Sequence, residues 1–210
     1  MLIIGAKGFA KEILEIFYQK NSLENIHFFD DISDDLPVKL FDTFNVVRSL
    51  DAGKAFFRSN GNKYVLGIGN PLLRSNFSQK FDEIGGELTT LISPFANIGH
   101  FNVQIGAGCT IMTNVVITND VFIGKGCLVN LNSTVGHDVI IGNYCELSPS
   151  VNISGGVVMG DFCSVGTGAV VLPKIRIGNN VTIGAGAVVV NDVPDNTVVV
   201  GVPAKPIIKR

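Results

Sequence analysis

The sequence predicts a small α/β domain followed by an all-β solenoid. Aliphatic residues recur every six positions through the second half of the chain, and glycine and charge are divided unequally between the halves. Residues 1–90 hold 22 of the 34 Asp, Glu, Lys and Arg residues but only 8 of the 24 glycines. Such different compositions indicate two architectures, which we expect to span residues 1–90 and 91–210.

Composition argues against several classes of function. The 210 residues carry a formal net charge of −2 and a pI of about 5.9, without the basic surface that binds a phosphate backbone. No apolar run approaches the ~20 residues that span a bilayer, and the opening MLIIGAKGFAKEI lacks the cationic start of a secretion signal. We expect a cytoplasmic protein that binds neither nucleic acid nor membrane.

The first half has the pattern of a parallel βαβ unit. Short apolar runs at Leu2–Ile4, 26–29 and 64–68 predict buried strands. Residues 9–18 predict a helix with one apolar face, and a second helix is expected from about Pro71. The sequence therefore predicts a small Rossmann-like domain.

Each predicted strand runs into a turn with glycine or acidic residues. The first is followed by Gly5-Ala6-Lys7-Gly8, the second by Asp30-Asp31 and the third by Gly69-Asn70. The carboxyl ends of parallel strands meet at one edge of a sheet, where α/β proteins bind ligands. The GxxG turn alone fits an ordinary tight turn equally well. The acidic pair about 25 residues later favours nucleoside binding, because carboxylates accept hydrogen bonds from ribose or base.

The second half repeats every six residues. Fifteen consecutive hexads carry an aliphatic residue in one register, from Ile105 to Val189. This period fits neither a helix nor a heptad, and it predicts a solenoid of strands and corners with two of every six side chains buried. Three hexads make an 18-residue triangular coil, so five coils are expected. A seven-residue step from Ile98 to Ile105 predicts one extra residue near His100, in an irregular first coil.

The four cysteines support the 18-residue coil. They lie at Cys109, Cys127, Cys145 and Cys163, which places them in one column at one corner. Thiols in a column do not converge on a tetrahedron, and the chain has no CxxC pair, so we expect a ladder of small buried residues and no metal site. Serine at position 127 is expected to leave an unpaired buried hydroxyl and cost about 1–3 kcal/mol.

The hexads and the ending VVVGVPAKPI resemble the left-handed parallel β-helix of hexapeptide-repeat acyltransferases. With GAKGFAKEI at the start, FFDD at 28–31, LGIGN at 66–70 and NLNSTVGHDVIIG at 130–142, the chain resembles bacterial nucleotide-sugar N-acetyltransferases and sialic acid O-acetyltransferases. The resemblance covers essentially the whole chain. It implies acetyl-CoA as co-substrate and a homotrimer with active sites between neighbouring solenoids.

Site residues follow from the same resemblance, position by position. It implies a nucleotide-sugar site formed by Lys7, Gly8, Phe9, Asp30, Asp31 and Gly69, with Asn130 lining the acceptor pocket. It implies acetyl-CoA contacts at Glu146, Gly155, Thr167 and Ala185, with a backbone N–H of Gly155 as oxyanion donor. The family often has His at the position of Glu146, and a carboxylate donates no hydrogen bond unless it is protonated.

Among the three histidines, His137 is the candidate general base. His27 precedes a buried strand and His100 lies in the irregular coil, whereas His137 stands two residues after the inward Val135 and should project outward. Asp138 follows directly and can fix the imidazole tautomer. The family's base matches this position. His137 would take a proton as the sugar amine attacks the thioester, without a covalent enzyme intermediate.

Other functions remain as alternatives. The enzyme could acetylate a hydroxyl of sialic acid or another sugar, and a solenoid that serves only as a binding scaffold is a more distant possibility. A γ-type carbonic anhydrase needs three histidine ligands, but the solenoid half contains only His100 and His137. A sugar nucleotidyltransferase needs a far larger first domain than 90 residues.

Overall fold

In the computed structural model, which describes residues 1–207, the N-terminal part is a six-stranded sheet flanked by helices. The strand order is 3-4-2-1-5-6, and the third strand is antiparallel to its neighbour while the other pairs are parallel. The strands are β1 (Leu2–Ile4), β2 (His27–Phe29), β3 (Lys39–Leu40), β4 (Phe44–Val47), β5 (Lys63–Leu66) and β6 (Glu87–Leu88). The helices are α1 (Gly8–Gln19), α2 (Leu50–Asn60) and α3 (Pro71–Glu83).

The predicted βαβ unit is confirmed and is larger than predicted. β1 lies between β2 and β5 in the sheet, and all three of its residues are fully buried. The helix predicted at 9–18 is α1, and the helix expected from Pro71 is α3. α2, β3, β4 and β6 were not predicted. α2 begins after Ser49, whose hydroxyl accepts a hydrogen bond from the N–H of Ala52.

The predicted solenoid is confirmed as a left-handed parallel β-helix with three faces. The first face contains β7 (Leu91–Ile92), β10 (Thr110–Ile111), β13 (Leu128–Val129), β16 (Glu146–Leu147), β19 (Ser164–Val165), β22 (Thr182–Ile183) and β24 (Val198–Val200). The second face contains β8 (Asn97–Ile98), β11 (Val116–Ile117), β14 (Thr134–Val135), β17 (Asn152–Ile153), β20 (Val170–Val171) and β23 (Val188–Val189). The third face contains β9 (Val103–Ile105), β12 (Val121–Ile123), β15 (Ile140–Ile141), β18 (Val158–Met159) and β21 (Arg176–Ile177).

The first and last coils depart from the 18-residue repeat. Ile98 pairs with Ile117, 19 residues away, whereas Val103 pairs with Val121, 18 away. The extra residue therefore lies between them, as predicted near His100. The last coil is two residues short, because Thr182 pairs with Val198. The chain then reverses, and β25 (Lys205–Ile207) pairs antiparallel with β24.

The cysteines occupy one buried column, as predicted. All four are free thiols at the corner between the third and first faces. Each Sγ donates to a carbonyl oxygen of the next coil at 3.0 Å, which leaves the ladder satisfied internally. The accepting residues are Gly124, Gly142, Gly160 and Gly178. In the part of the chain that the structure describes, no helix is long and apolar enough to cross a membrane.

The N-terminal sheet and its helices pack on the first face, against the coils that begin the solenoid. Thr110 and Leu128 point outward from that face and are nevertheless buried. Gln19 of α1 donates to the hydroxyl of Thr113 at 3.0 Å, at the corner between the first and second faces. Arg74 of α3 reaches the opposite corner of the same face, where it donates to the carbonyl oxygen of Gly126 at 2.9 Å. The two helices thus fix the position of the sheet on the solenoid.

Candidate functional site

A cavity of about 310 Å³ opens at the carboxyl ends of β1, β2 and β5. The structure brings together here all six residues that the resemblance placed at the nucleotide sugar: Lys7, Gly8, Phe9, Asp30, Asp31 and Gly69. Apolar side chains form most of the remaining wall: Phe29, Ile32, Ile68, Leu73 and Phe77. Leu73 and Phe77 stand four residues apart on α3, a helical spacing that the sequence already contained.

The first turn of α1 faces this cavity. α1 begins at Gly8, and in the described chain no side chain caps its first N–H groups. Free N–H groups and the positive end of the helix dipole suit an anion. The ammonium of Lys7 contacts the carboxylate of Asp35 at 2.8 Å, and this hydrogen bond holds the pKa of Asp35 below its usual value.

Asp30 and Asp31, which follow β2, have different roles. The carboxylate of Asp30 accepts hydrogen bonds from the N–H groups of Ile32 and Ser33, at 3.1 and 2.8 Å. It therefore shapes its own loop. Asp31 is exposed beside the cavity, so its carboxylate is the one open to a ligand. The sequence predicted the same role for both residues, because it does not show which of the two carboxylates accepts hydrogen bonds from the loop backbone.

His137 lies at the corner between the second and third faces and projects outward, as predicted. Its Nδ1 is 2.6 Å from Oδ2 of Asp138, and the two side chains are 74% and 65% exposed. A carboxylate accepts hydrogen bonds, so Nδ1 carries the proton and Nε2 presents its lone pair to solvent. This contact fixes the orientation of the imidazole and leaves Nε2 open to solvent.

Gly155, one coil above, lies against the His137 ring. A Cβ built on Gly155 would stand 2.6 Å from Nε2 of His137, so only glycine leaves room for the ring. The N–H of Gly155 donates to no acceptor within the described part of the chain. A residue with an unused backbone N–H therefore lies against the imidazole of His137.

Asn130, Thr167 and Ala185 lie at a different corner, between the first and second faces. Asn130 is largely buried, and its Oδ1 accepts a hydrogen bond from the N–H of Leu131 at 2.7 Å. The structure does not bring these three residues together with His137 within one chain.

Glu146 begins β16 on the first face and lies next to the cavity. A Cβ built on Gly69 would stand 3.1 Å from Oε1 of Glu146. Burial raises the pKa of Glu146, and the nearby Arg74 opposes this shift. Glu146 therefore lies near the residues expected to bind the nucleotide sugar. It is separate from Thr167 and Ala185, although the resemblance had placed all three at acetyl-CoA.

Arg74 is a residue that sequence reasoning missed. It is only 1% exposed, and its guanidinium donates to the carbonyl oxygens of Gly69, Gly126, Tyr144 and Cys145. A single arginine in a helix is read from sequence as a surface residue, and nothing in the sequence signals its burial. It joins the Gly69 loop to the strand that begins with Glu146.

Two family models match the chain. The first, described as the PglD N-terminal domain, matches residues 1–81, and the second, described as bacterial transferase hexapeptide (six repeats), matches residues 156–191. No curated protein matches the chain significantly.

Several solved structures are similar over nearly the whole chain. A variant of perosamine N-acetyltransferase from Caulobacter crescentus, in complex with CoA and GDP-perosamine, is 31% identical with a TM-score of 0.91, over 99% of this chain and 96% of that one. The acetyltransferase domain of PglB from Neisseria gonorrhoeae is 29% identical with a TM-score of 0.86, over 98% of each chain. WeeI from Acinetobacter baumannii is 28% identical with a TM-score of 0.87, also over 98% of each chain.

Proposed function

Because the chain belongs to the acetyl-CoA-dependent nucleotide-sugar N-acetyltransferases, we propose that it acetylates the amine of a nucleotide-linked amino sugar with His137 as general base. The observation that carries this proposal is the 2.6 Å contact between Nδ1 of His137 and Asp138, which leaves Nε2 free to accept a proton. The related perosamine enzyme was solved with both CoA and GDP-perosamine, the two kinds of ligand that this reaction needs.

The cavity beside α1 holds the nucleotide. The diphosphate lies at the first turn of α1, where the free N–H groups suit an anion and where Lys7, paired with Asp35, lines the cavity. The nucleoside lies along the apolar wall, where the exposed carboxylate of Asp31 accepts from ribose or base. The sugar leaves the cavity past Gly69. Asp30 supports this site by holding its loop.

Acetyl transfer takes place at His137. The amine nitrogen bonds to the thioester carbonyl carbon while Nε2 of His137 takes a proton from it. The free N–H of Gly155 stabilises the negative oxygen of the tetrahedral intermediate. The C–S bond then breaks, and the imidazolium returns the proton to the sulfur of CoA. Asp138 orients the ring throughout.

The complete site needs a second copy of the chain. Glu146 and the sugar cavity lie at the first face, whereas His137 and Gly155 lie at the opposite corner of the triangular coil. A homotrimer would bring His137 of the partner subunit to the cavity, with acetyl-CoA between solenoids near Thr167 and Ala185 and Asn130 at the acceptor. The exposed Phe122 and Ile140, paired on the third face, provide apolar surface for such contacts.

An acetylation assay tests the proposal. UDP-, GDP- and CMP-linked amino sugars are incubated with acetyl-CoA, and CoA release is followed with a thiol reagent while mass spectrometry locates the acetyl group. An N-acetylated product whose formation is lost in His137→Ala is expected. An O-acetylated product would show that the acceptor group is a hydroxyl and not an amine. Absence of turnover with every acceptor would favour a solenoid that serves only as a binding scaffold.

A further inference from the structure

Glu146 carries a carboxylate that nothing in the described chain engages. Its side chain is half-buried against Gly69, a residue that lines the nucleotide-sugar cavity. Among residues 1–207, no hydrogen bond or ion pair reaches its two oxygens. A half-buried carboxylate whose oxygens no group of the described chain engages is open to a ligand.

Arg74 does not neutralise this carboxylate directly. Its guanidinium nitrogens donate to four backbone carbonyl oxygens, including those of Gly69 and Cys145. These bonds fix Gly69 and the residue just before Glu146 relative to each other. Arg74 therefore sets the distance between the cavity wall and Glu146, while the oxygens of Glu146 stay available.

We propose that the carboxylate of Glu146 binds the amino group of the acceptor sugar and selects amino sugars over sugars with a hydroxyl at the same carbon. This inference rests on the proposed function, because it concerns the acceptor of that reaction. It reassigns Glu146 from acetyl-CoA, the role that the resemblance implied, to the sugar.

The chemistry of the two ligands supports this choice. A carboxylate only accepts hydrogen bonds, so it suits the N–H groups of an amine and is poorly suited to the thioester oxygen, which is also an acceptor. An ammonium adds Coulomb attraction to its hydrogen bond with the carboxylate, and a neutral hydroxyl offers the hydrogen bond without that attraction. After the ammonium has lost one proton to water, Glu146 holds a remaining N–H while the nitrogen lone pair attacks the thioester.

The position of Glu146 supports the same assignment. In the proposed binding mode the sugar leaves the cavity past Gly69, which lines the cavity and lies against the carboxylate of Glu146. Burial also raises the pKa of Glu146, so a cation that pairs with it recovers part of the cost of its charge.

Paired ligands test the proposal on the full chain. The probe is the nucleotide-linked amino sugar that the wild type acetylates, starting with GDP-perosamine, together with its counterpart in which a hydroxyl replaces the amine. Dissociation constants for the two sugars are measured by calorimetry without acetyl-CoA, and that for acetyl-CoA in a separate titration, for the wild type, Glu146→Gln, Glu146→His and the matched control Glu87→Gln. Glu87 is an exposed carboxylate on β6, so the control removes the same charge away from the cavity.

The wild type and Glu87→Gln are expected to bind the amino sugar about 10- to 100-fold more tightly than the hydroxyl sugar. Glu146→Gln and Glu146→His should lose this preference and keep their affinity for acetyl-CoA. An unchanged preference in Glu146→Gln, or a loss of acetyl-CoA affinity instead, would overturn the proposal. A chain that acetylates no amino sugar would instead overturn the proposed function, and this inference with it.

Discussion

His137 and Gly155 are 18 residues apart in sequence, yet the imidazole lies directly against the glycine. A methyl group at position 155 would occupy the space of the ring. Gly155→Ala should therefore displace His137 and lower kcat by about 100-fold, because a misplacement of about 1 Å at a reacting group has this effect. Steady-state kinetics check the result, with Ser154→Ala at the same corner as control. An alanine variant with normal kcat would contradict the role of this contact.

Removal of the base should have the largest effect on turnover. We expect His137→Ala to lower kcat by about 10²–10⁴ while acetyl-CoA affinity stays close to that of the wild type. Asp138→Asn should lower kcat by less, because it removes only the group that orients the ring. Single-turnover kinetics with the correct acceptor measure both. Equal activity of His137→Ala and wild type would mean that another group removes the proton.

Arg74 is expected to be essential for stability. Arg74→Leu removes a donor from four carbonyl oxygens, of which that of Cys145 still accepts from the N–H of Leu128, and each unsatisfied buried group costs about 1–3 kcal/mol. These costs are not additive, so we expect a loss of several kcal/mol of unfolding free energy, and a smaller loss for Arg74→Lys, which keeps a donor. Urea denaturation measures both. Stability equal to that of the wild type in Arg74→Leu would show that the carbonyl oxygens find other partners.

The structure corrects the expected cost of Cys127→Ser. Ser133 already occupies the equivalent position at another corner, where its hydroxyl donates to Ser148 O at 3.1 Å and accepts from Val151 N at 3.3 Å. The thiol of Cys127 makes the same two bonds, to Gly142 O and from Cys145 N. A serine at 127 would thus be satisfied, and we expect a cost below about 1 kcal/mol. A loss above 2 kcal/mol in urea denaturation would contradict this comparison.

Glu146 should make stability depend on pH in a defined direction. Burial raises its pKa in the folded chain, so the folded state favours the neutral carboxyl. The cost of the buried charge is present above the folded pKa and absent below the unfolded pKa. Glu146→Gln should therefore be more stable than the wild type at pH 7, and the difference should shrink at pH 4. Urea denaturation at the two values checks this, and a destabilised Gln variant at pH 7 would be inconsistent with it.

Most of the solenoid could be predicted from the sequence, because the six-residue period is regular over fifteen consecutive hexads. The hexads from Ile105 onward predicted register, faces and the cysteine column, and the step from Ile98 predicted the extra residue. α2 was not predicted because it buries only Gly53, Phe56 and Phe57. Three positions are too few to define a helical period. The division at residue 90 stays a prediction, which limited proteolysis can test.

The site was predictable in its residue types and less so in its geometry. A β-strand end followed by glycine or an acidic residue predicts a crevice, which the structure contains, and His137 beside Asp138 predicts a base. Sequence could not show that Asp30 serves its loop, that Arg74 is buried or that Glu146 contacts Gly69. The Asp30 contact depends on the conformation of its own loop, and the other two depend on packing between residues more than 70 positions apart, as between Arg74 and Cys145.

The antiparallel strand β25 also hinders the addition of a further chain at the end of the solenoid. Stacked parallel strands present an open hydrogen-bonding edge at the end of a solenoid, onto which another chain could add and so start a fibre. On the first face that edge is occupied by the antiparallel strand Lys205–Ile207. Its proline has no N–H to offer and its lysine brings charge, two features that discourage further strand addition. The closing hairpin thus favours a discrete particle over an end-to-end polymer.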